Sequence, residues 1–154
     1  MIEVMGMFDF KFDWDNSLCT GHATIDTQHR ELFRIGREIE QLLITNCIDV
    51  KEKELLNIIC ELRDYVAYHF YEEERLMEIY EISSLEEHRL QHKKYENIVA
   101  SFDVRKLGEN PYKELKRMKD YITDLVFEHM VSVDKKMVVE LNQKMKDREI
   151  VLNS

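Results

Sequence analysis

Apolar residues recur every three or four positions along four long stretches of the chain, which is the spacing of one buried face of an α-helix. The four predicted helices run from about Ala23 to Thr45, from about Asp49 to Tyr80, from about Ser84 to Leu107, and from Pro111 to about Met145. Helices joined by connections as short as these pack as antiparallel neighbours. The pattern therefore predicts an all-α protein, an up-down-up-down antiparallel four-helix bundle over about residues 23–145.

Capping signals mark the starts of three of these helices. Asp49 with Glu52, and Ser84 with Glu87, have the spacing of a capping box, in which two side chains satisfy free backbone N–H groups. The loop at residues 108–111 combines a glycine, an asparagine and a proline. These residues suit, in turn, the end of one helix, the cap of the next and its first position.

The first 21 residues lack the helical period and are rich in aromatic side chains, namely Phe8, Phe10, Phe12 and Trp14. We expect them to form an extended N-terminal arm that packs over one end of the bundle, with Trp14 packing the bundle rather than contacting a ligand. No repeat, low-complexity tract or linker interrupts the chain, so residues 1–154 are predicted to form a single domain.

Composition argues against several classes of function. The formal net charge of -9 disfavours nucleic acid and anionic lipid as partners. No apolar run approaches the length of a membrane span, and the first residues lack the pattern of a secretory signal, so we expect no membrane insertion. Cys19, Cys47 and Cys60 are an odd, scattered set with no Cys-x-x-Cys pair. They are expected to be reduced thiols of a cytoplasmic protein.

Histidines fall where the core of the bundle should be. Of six histidines, five lie on the apolar faces of the predicted helices: His29, His69, His88, His92 and His129. Each buried imidazole without a strong partner would leave polar atoms unsatisfied at a cost of about 1–3 kcal/mol. A metal ion removes that cost, because a neutral imidazole nitrogen is a good ligand for iron, copper or zinc. The sequence therefore predicts a metal centre inside the bundle.

Spacing supports a shared centre. His88 and His92 stand one helical turn apart, so both can reach the same ion. His69 is followed about one turn later by the carboxylates of residues 72–74, and spacing alone does not choose among them.

His129 and Asp134 are five residues apart, which in a regular α-helix separates two side chains by roughly 140°. Either the helix carries a π-bulge between them, or the two groups reach inward from opposite edges of the apolar face.

These motifs together resemble the hemerythrin family, most closely its single-domain bacterial members. They are Trp14-Asp15, the run Ile25-Asp-Thr-Gln-His29-Arg-Glu-Leu-Phe33, His69-Phe-Tyr-Glu-Glu73, His88-x-x-x-His92 and His129-x-x-x-x-Asp134. The resemblance implies two non-haem iron ions (Fe2+/Fe3+) with a bridging oxo or hydroxo group. It assigns one iron bond to each of His29, His69, His88, His92 and His129, and makes Glu73 and Asp134 bridges between the metals. His22 has no place in the motif and is expected to be an ordinary surface or arm residue.

The resemblance also implies a function, the reversible binding of dioxygen for carriage, storage or delivery to an oxygen-consuming enzyme. Two octahedral metals offer about twelve positions, and this ligand set with its bridge leaves about one of them open. Carboxylate-rich bundles oxidise substrates, whereas only two carboxylates match here, so we expect a monomeric binding protein and not an enzyme. The alternatives are a sensor of oxygen, redox state or iron acting through a partner protein, a di-iron oxidase or peroxidase, and a bundle without metal.

Overall fold

Helices make up most of the computed structural model, which describes residues 10–153 and contains no strand within them. The helices are α1 (Ala23–Ile44), α2 (Glu52–Ile79), α3 (Leu85–Ala100), α4 (Val104–Glu109), α5 (Pro111–Thr123) and α6 (Lys135–Asn153). A π-helical segment of 11 residues, Asp124–Asp134, connects α5 to α6, and a 3-10 turn, Asn16–Leu18, precedes α1. The all-α prediction is confirmed for these residues. Over the same range, no helix has both the length and the apolar character of a membrane span.

Two clusters of buried apolar side chains form the core. Helix α1 packs against α2, α5 and the π-helical segment, and α2 also packs against α3 and α4. The larger cluster is drawn mainly from α1, α2, α5 and the π-helical segment, with Leu32, Leu62, Phe70, Ile122 and Val126 among its fully buried members. The smaller cluster consists of Ile25, Met77, Ile82, Met137, Val138 and Leu141.

The polar interior lies between these clusters along each helix. On α1, His29 stands between Ile25 of the smaller cluster and Phe33 of the larger one. On α2, His69 and Glu73 fall between Val66 of the larger cluster and Met77 of the smaller one. The apolar layers on both sides keep the polar layer at a fixed height in the bundle.

Two helix ends differ from their sequence signals. Lys51, not Asp49, is the N-cap of α2, and its side chain makes no capping hydrogen bond. The predicted capping box is wrong there, because the connection places Asn46, Cys47 and Asp49 in the left-handed region, with φ between 53° and 59°. Ser84 is the N-cap of α3 as predicted, although its hydroxyl makes no capping bond.

The predicted third helix is in fact two helices. Helix α3 ends at Ala100, and α4 begins after Asp103, whose carboxylate accepts a hydrogen bond from the Arg105 N–H at 2.9 Å. Phe102 in the break is buried, so apolar packing there and the Asp103 cap replace a continuous helix. Gly108 lies inside α4 instead of following its end.

The start of α5 is as predicted. Asn110 is its N-cap, Pro111 is its first residue, and the Asn110 amide oxygen accepts from the Lys113 N–H at 3.2 Å. This end is well encoded because proline fixes the backbone angle that the first turn needs.

The described part of the N-terminal segment is anchored on α1. The backbone N–H groups of Lys11 and Phe12 donate to the buried Glu40 carboxylate at 2.9 and 2.7 Å. The Phe12 ring lies 5.8 Å from the Phe33 ring and 5.9 Å from the Phe127 ring, measured between centroids. Residues 1–9, which include Phe8 of the predicted arm, lie outside the described residues.

Trp14 packs as predicted. Its indole stands edge-on to the Phe33 ring at 5.2 Å, under the guanidinium of Arg30. Both contacts are with α1, so Trp14 belongs to the packing of the bundle.

Gly36 on α1 allows the Phe12 ring to approach. A Cβ at this position would lie 2.7–2.9 Å from three atoms of that ring, closer than real carbon atoms pack. We expect Gly36→Ala to lower the free energy of unfolding by about 1–3 kcal/mol, because the ring must shift to admit the methyl group. Urea titration followed by circular dichroism measures the change.

Gly108→Ala is the matched control, since a Cβ there meets nothing within 4 Å. It should stabilise the protein by up to about 1 kcal/mol through helix propensity alone. In a Phe12→Ala background, Gly36→Ala should no longer lower the free energy of unfolding. A Gly36→Ala penalty that persists without the Phe12 ring would contradict this account.

Candidate metal centre

Seven polar side chains converge between the two apolar clusters. They are His29 from α1, His69 and Glu73 from α2, His88 and His92 from α3, and His129 and Asp134 from the π-helical segment. None is more than 2% exposed. The structure thus brings together every site residue that the sequence suggested.

The seven residues form two overlapping groups, within each of which one ligand atom per residue lies within 4.8 Å of the others. The three-histidine pocket consists of Glu73, His88, His92, His129 and Asp134. The two-histidine pocket consists of His29, His69, Glu73 and Asp134. Both carboxylates therefore belong to both pockets.

Short distances define the three-histidine pocket. The Nε2 atom of His88 lies 2.9 Å from Asp134 Oδ1 and 3.0 Å from Glu73 Oε1. His92 Nε2 lies 3.3 Å from the same Glu73 oxygen, and His129 Nε2 lies 3.3 Å from the same Asp134 oxygen. His88 Nε2 thus faces one oxygen of each carboxylate. His92 Nε2 faces only the Glu73 oxygen, and His129 Nε2 only the Asp134 oxygen.

The other oxygen of each carboxylate serves the two-histidine pocket. His29 Nε2 lies 3.2 Å from Asp134 Oδ2, and His69 Nε2 lies 3.3 Å from Glu73 Oε2. Asp134 Oδ2 is also 3.7 Å from His69 Nε2. Each carboxylate therefore points one oxygen into each pocket, which is how a bridging ligand is oriented.

The π-helical segment explains the spacing of His129 and Asp134. Hydrogen bonds in a π-helix connect residues five apart, so residues at this spacing come close to the same face. Of the two alternatives that the sequence left open, the structure takes the π-helical one, extended over 11 residues.

Three further side chains, which the sequence reasoning missed, hold the outer nitrogens of the imidazoles. The pairs are His69 Nδ1 with Gln28 Oε1 at 2.7 Å, His92 Nδ1 with Glu74 Oε2 at 3.0 Å, and His129 Nδ1 with Gln91 Oε1 at 3.0 Å. Because the partners are acceptor oxygens, Nδ1 carries the proton and donates, and Nε2 keeps a lone pair directed into the pocket. Each partner is next in sequence to a different site residue, and adjacency is the only sequence signal it gives.

The residues fit a metal. The Nε2 atoms of His92 and His129 lie 3.0 Å apart, so with both Nδ1 atoms protonated they need a proton or a metal ion between their lone pairs. Both carboxylate oxygens of Glu73 and Nε2 of His69 are buried without a hydrogen-bond partner. Imidazole nitrogens and carboxylate oxygens are good donors to iron, and also to zinc or manganese. A cation in each pocket would satisfy these atoms.

The electrostatics of the cluster favour a cation. Burial acts to raise the pKa of the Asp134 carboxyl, but the surrounding imidazoles outweigh it and hold that pKa well below its ordinary value. Glu73 is also buried, and its contacts with His88 and His92 bring its pKa below the ordinary value. Burial acts against the charge on His88, yet the two carboxylates raise its pKa to about 10. A metal ion bound here would take the place of a proton held between ionised carboxylates.

Burial lowers the pKa of His129 to about 4, which leaves its imidazole neutral and able to act as a ligand.

The Phe70 ring stacks on His92 with centroids 3.9 Å apart and covers the edge of the three-histidine pocket. Val126, like Phe70, is fully buried, whereas Val133 is half-buried and lines a surface cleft. Phe70, which contacts the imidazoles, can exclude water from the centre.

His22 lies outside both pockets. It is the N-cap of α1, where its Nδ1 accepts a hydrogen bond from the Ile25 N–H at 3.3 Å. Cys19, Cys47 and Cys60 are free thiols outside both pockets.

Comparison with known proteins agrees with this geometry. The family model described as "Hemerythrin HHE cation binding domain" matches residues 20–141. The chain is 28% identical to the Bacteriohemerythrin of Clostridium acetobutylicum over 127 residues, which cover 82% of this chain and 98% of that protein. It is 30% identical over 84 residues to Hemerythrin-like proteins of Naegleria gruberi and Naegleria fowleri, covering 54% of this chain and 62% of each of them. No solved structure matches the chain at a significant level. With the matched region spanning both pockets, the chain belongs to the hemerythrin family.

Proposed function

We propose that the protein binds dioxygen reversibly at a non-haem di-iron centre and does not act as an enzyme. The proposed iron ligands are His29, His69, Glu73, His88, His92, His129 and Asp134. The observation that carries the proposal is the division of the two carboxylates, each of which directs one oxygen to each pocket. This arrangement suits two metals held side by side, with Glu73 and Asp134 as bridges and an oxo or hydroxo group between the irons.

The two pockets are unequal. The three-histidine pocket offers five protein ligands and the two-histidine pocket offers four. An octahedral metal accepts about six ligands, so the two-histidine pocket has more room for an external one. When bound, the iron pair supplies the electrons that reversible dioxygen binding requires.

The residues around the centre favour binding over substrate oxidation. None of the seven side chains is more than 2% exposed, so a small diatomic ligand has far easier access than an organic substrate. Phe70 covers the imidazoles against water, while Gln28, Glu74 and Gln91 hold the Nδ1 protons and so orient the imidazoles. These features support oxygen carriage, storage or delivery to an oxygen-consuming enzyme.

We further propose an up-down-up-down antiparallel arrangement of the long helices with an N-terminal arm, in one domain that acts as a monomer. The packing of α1 on α2 and α5, and of α2 on α3, supports this topology, as does the anchoring of residues 11–12 on Glu40. The three free cysteines support a cytoplasmic location, and the net charge of -9 disfavours nucleic acid as a partner.

An oxygen cycle with a parallel iron assay tests the function. The protein is reduced without air, exposed to oxygen and purged again while its visible spectrum is recorded. We expect about two irons per chain, by the ligand count above, and an oxo-bridged di-iron band that appears with oxygen and disappears on purging. Two irons with an irreversible change would favour a sensor or an oxidase, and absence of iron after supplementation would refute the proposal.

His92→Ala should remove part of the iron and weaken or abolish oxygen binding, because it deletes one of five ligands of the three-histidine pocket. His22→Asn is the matched control, since it removes an imidazole outside the pockets and keeps a residue that caps helices well. Iron content and the oxygen-dependent spectrum are measured for both variants. A His92→Ala protein with full iron and a normal spectrum would contradict the ligand assignment.

Removal of the metals should destabilise the fold. A ligand that binds only the native state adds about 4 kcal/mol to the free energy of unfolding when its free concentration is 1,000 times the dissociation constant. For a chain of this size that corresponds to a loss of about 8–16 °C in the melting temperature on chelation. Calorimetry with and without a chelator measures the shift, and equal melting temperatures of loaded and stripped protein would show that the pockets bind no metal.

A further inference from the structure

The outer partners of the three imidazoles are not chemically equal. Gln28 and Gln91 offer neutral amide oxygens to His69 and His129, whereas Glu74 offers a carboxylate oxygen to His92. The carboxylate is thus directed at a single imidazole, and that imidazole belongs to the three-histidine pocket.

Glu74 is held in place from both sides. It follows Glu73 on α2, and its Oε2 lies 3.0 Å from Nδ1 of His92 on α3. Its other oxygen, Oε1, lies 3.4 Å from Nε of Arg89, three residues before His92 on the same helix. The Glu74 side chain is 24% exposed, so it links the surface of the protein to the buried centre.

A carboxylate acts on an imidazole differently from an amide. A charge-assisted hydrogen bond is roughly twice as strong as a neutral one and draws the Nδ1 proton further toward the acceptor. The ring then carries more electron density at Nε2 and becomes a stronger donor to a metal. A stronger donor stabilises the higher oxidation state of iron more than the lower one.

We propose that Glu74 is a positioning residue that, through His92, shifts the metal of the three-histidine pocket toward its oxidised state and strengthens metal binding there. This inference rests on the proposed di-iron function. The amide partners of His69 and His129 orient their rings without adding a charge, so the electronic bias is confined to one side of the centre.

Arg89 moderates this effect. Its guanidinium lies close to three carboxylates, with distances of 2.7 Å to Glu86, 3.4 Å to Glu74 and 3.5 Å to Glu78. Glu86 is thus its closest partner, and the longer contact between Arg89 and Glu74 offsets the negative charge of Glu74 only in part. Loss of the guanidinium should leave Glu74 a stronger acceptor for the His92 proton.

Three variants separate charge from shape. Glu74→Gln keeps the size and an acceptor oxygen but removes the charge. Gln91→Glu is the reciprocal change and gives His129 a carboxylate in place of an amide. Arg89→Gln removes the guanidinium and leaves Glu74 itself unchanged.

The first measurement is the midpoint potential of the iron-loaded protein by redox titration. Glu74→Gln should raise the midpoint, and Gln91→Glu and Arg89→Gln should lower it. A simple steric role for Glu74 predicts no ordered set of opposite shifts. An unchanged midpoint in Glu74→Gln at full iron content, or shifts of the same sign in Glu74→Gln and Gln91→Glu, would overturn the inference.

The second measurement does not depend on iron or oxygen. Zinc binding to the full chain is measured by competition with a chelating dye. Loss of an outer partner weakens metal affinity by about 10- to 100-fold in comparable sites. The loss of zinc affinity in Glu74→Gln should fall within or just below that range. Gln91→Glu should bind zinc at least as tightly as the parent. Equal zinc affinity in the parent and Glu74→Gln would overturn the inference.

The two proposals fail in different ways. A parent protein that holds iron but never releases oxygen on purging contradicts reversible binding, yet the ordered potentials and zinc affinities would still support the role of Glu74. A parent that cycles oxygen normally, with potentials insensitive to Glu74, contradicts only the role of Glu74.

Discussion

Two carboxylates buried among five imidazoles are the constraint on which the rest of this structure depends. Glu73 and Asp134 are fully buried, and neither charge could remain there without the imidazoles that surround it. Those imidazoles come from α1, α2, α3 and the π-helical segment, so all four elements must hold their heights and rotations together. The apolar clusters above and below fix those heights, and the division of carboxylate oxygens between two pockets follows from them.

The π-helical segment serves both the centre and the outer packing. It turns His129 and Asp134 to one face, at the expense of the more stable α-helical hydrogen-bond pattern. It also carries Phe127, whose ring stacks near Phe12 of the N-terminal segment. Because Phe12 in turn rests against Gly36, the N-terminal segment, α1 and the π-helical segment form one packed unit. The unusual backbone is thus supported on its outer side.

Local signals gave the wrong answer where several residues compete for the same backbone groups. Asp49 and Glu52 have capping-box spacing, but the left-handed backbone at Asp49 moves the start of α2 to Lys51. The periodic pattern runs through Ala100 toward Leu107, yet the cap at Asp103 splits the helix. The start of α5 at Asn110 and Pro111 was predicted correctly, because the backbone preferences of these two residues leave few alternatives.

By itself, the sequence determined the helical content and which face of each helix carries the histidines, because helical period fixes direction within one segment. It also specified the motifs by which the chain belongs to its family. The resemblance to the family assigned Glu73 to the metals. Only the tertiary structure showed that its two oxygens enter different pockets, that Glu74 turns to His92, and that the last ligand pair lies on a π-helix. The physical reason is that the rotation of one helix relative to the next is set by packing between them, and residues 72–74 look alike until that rotation is known.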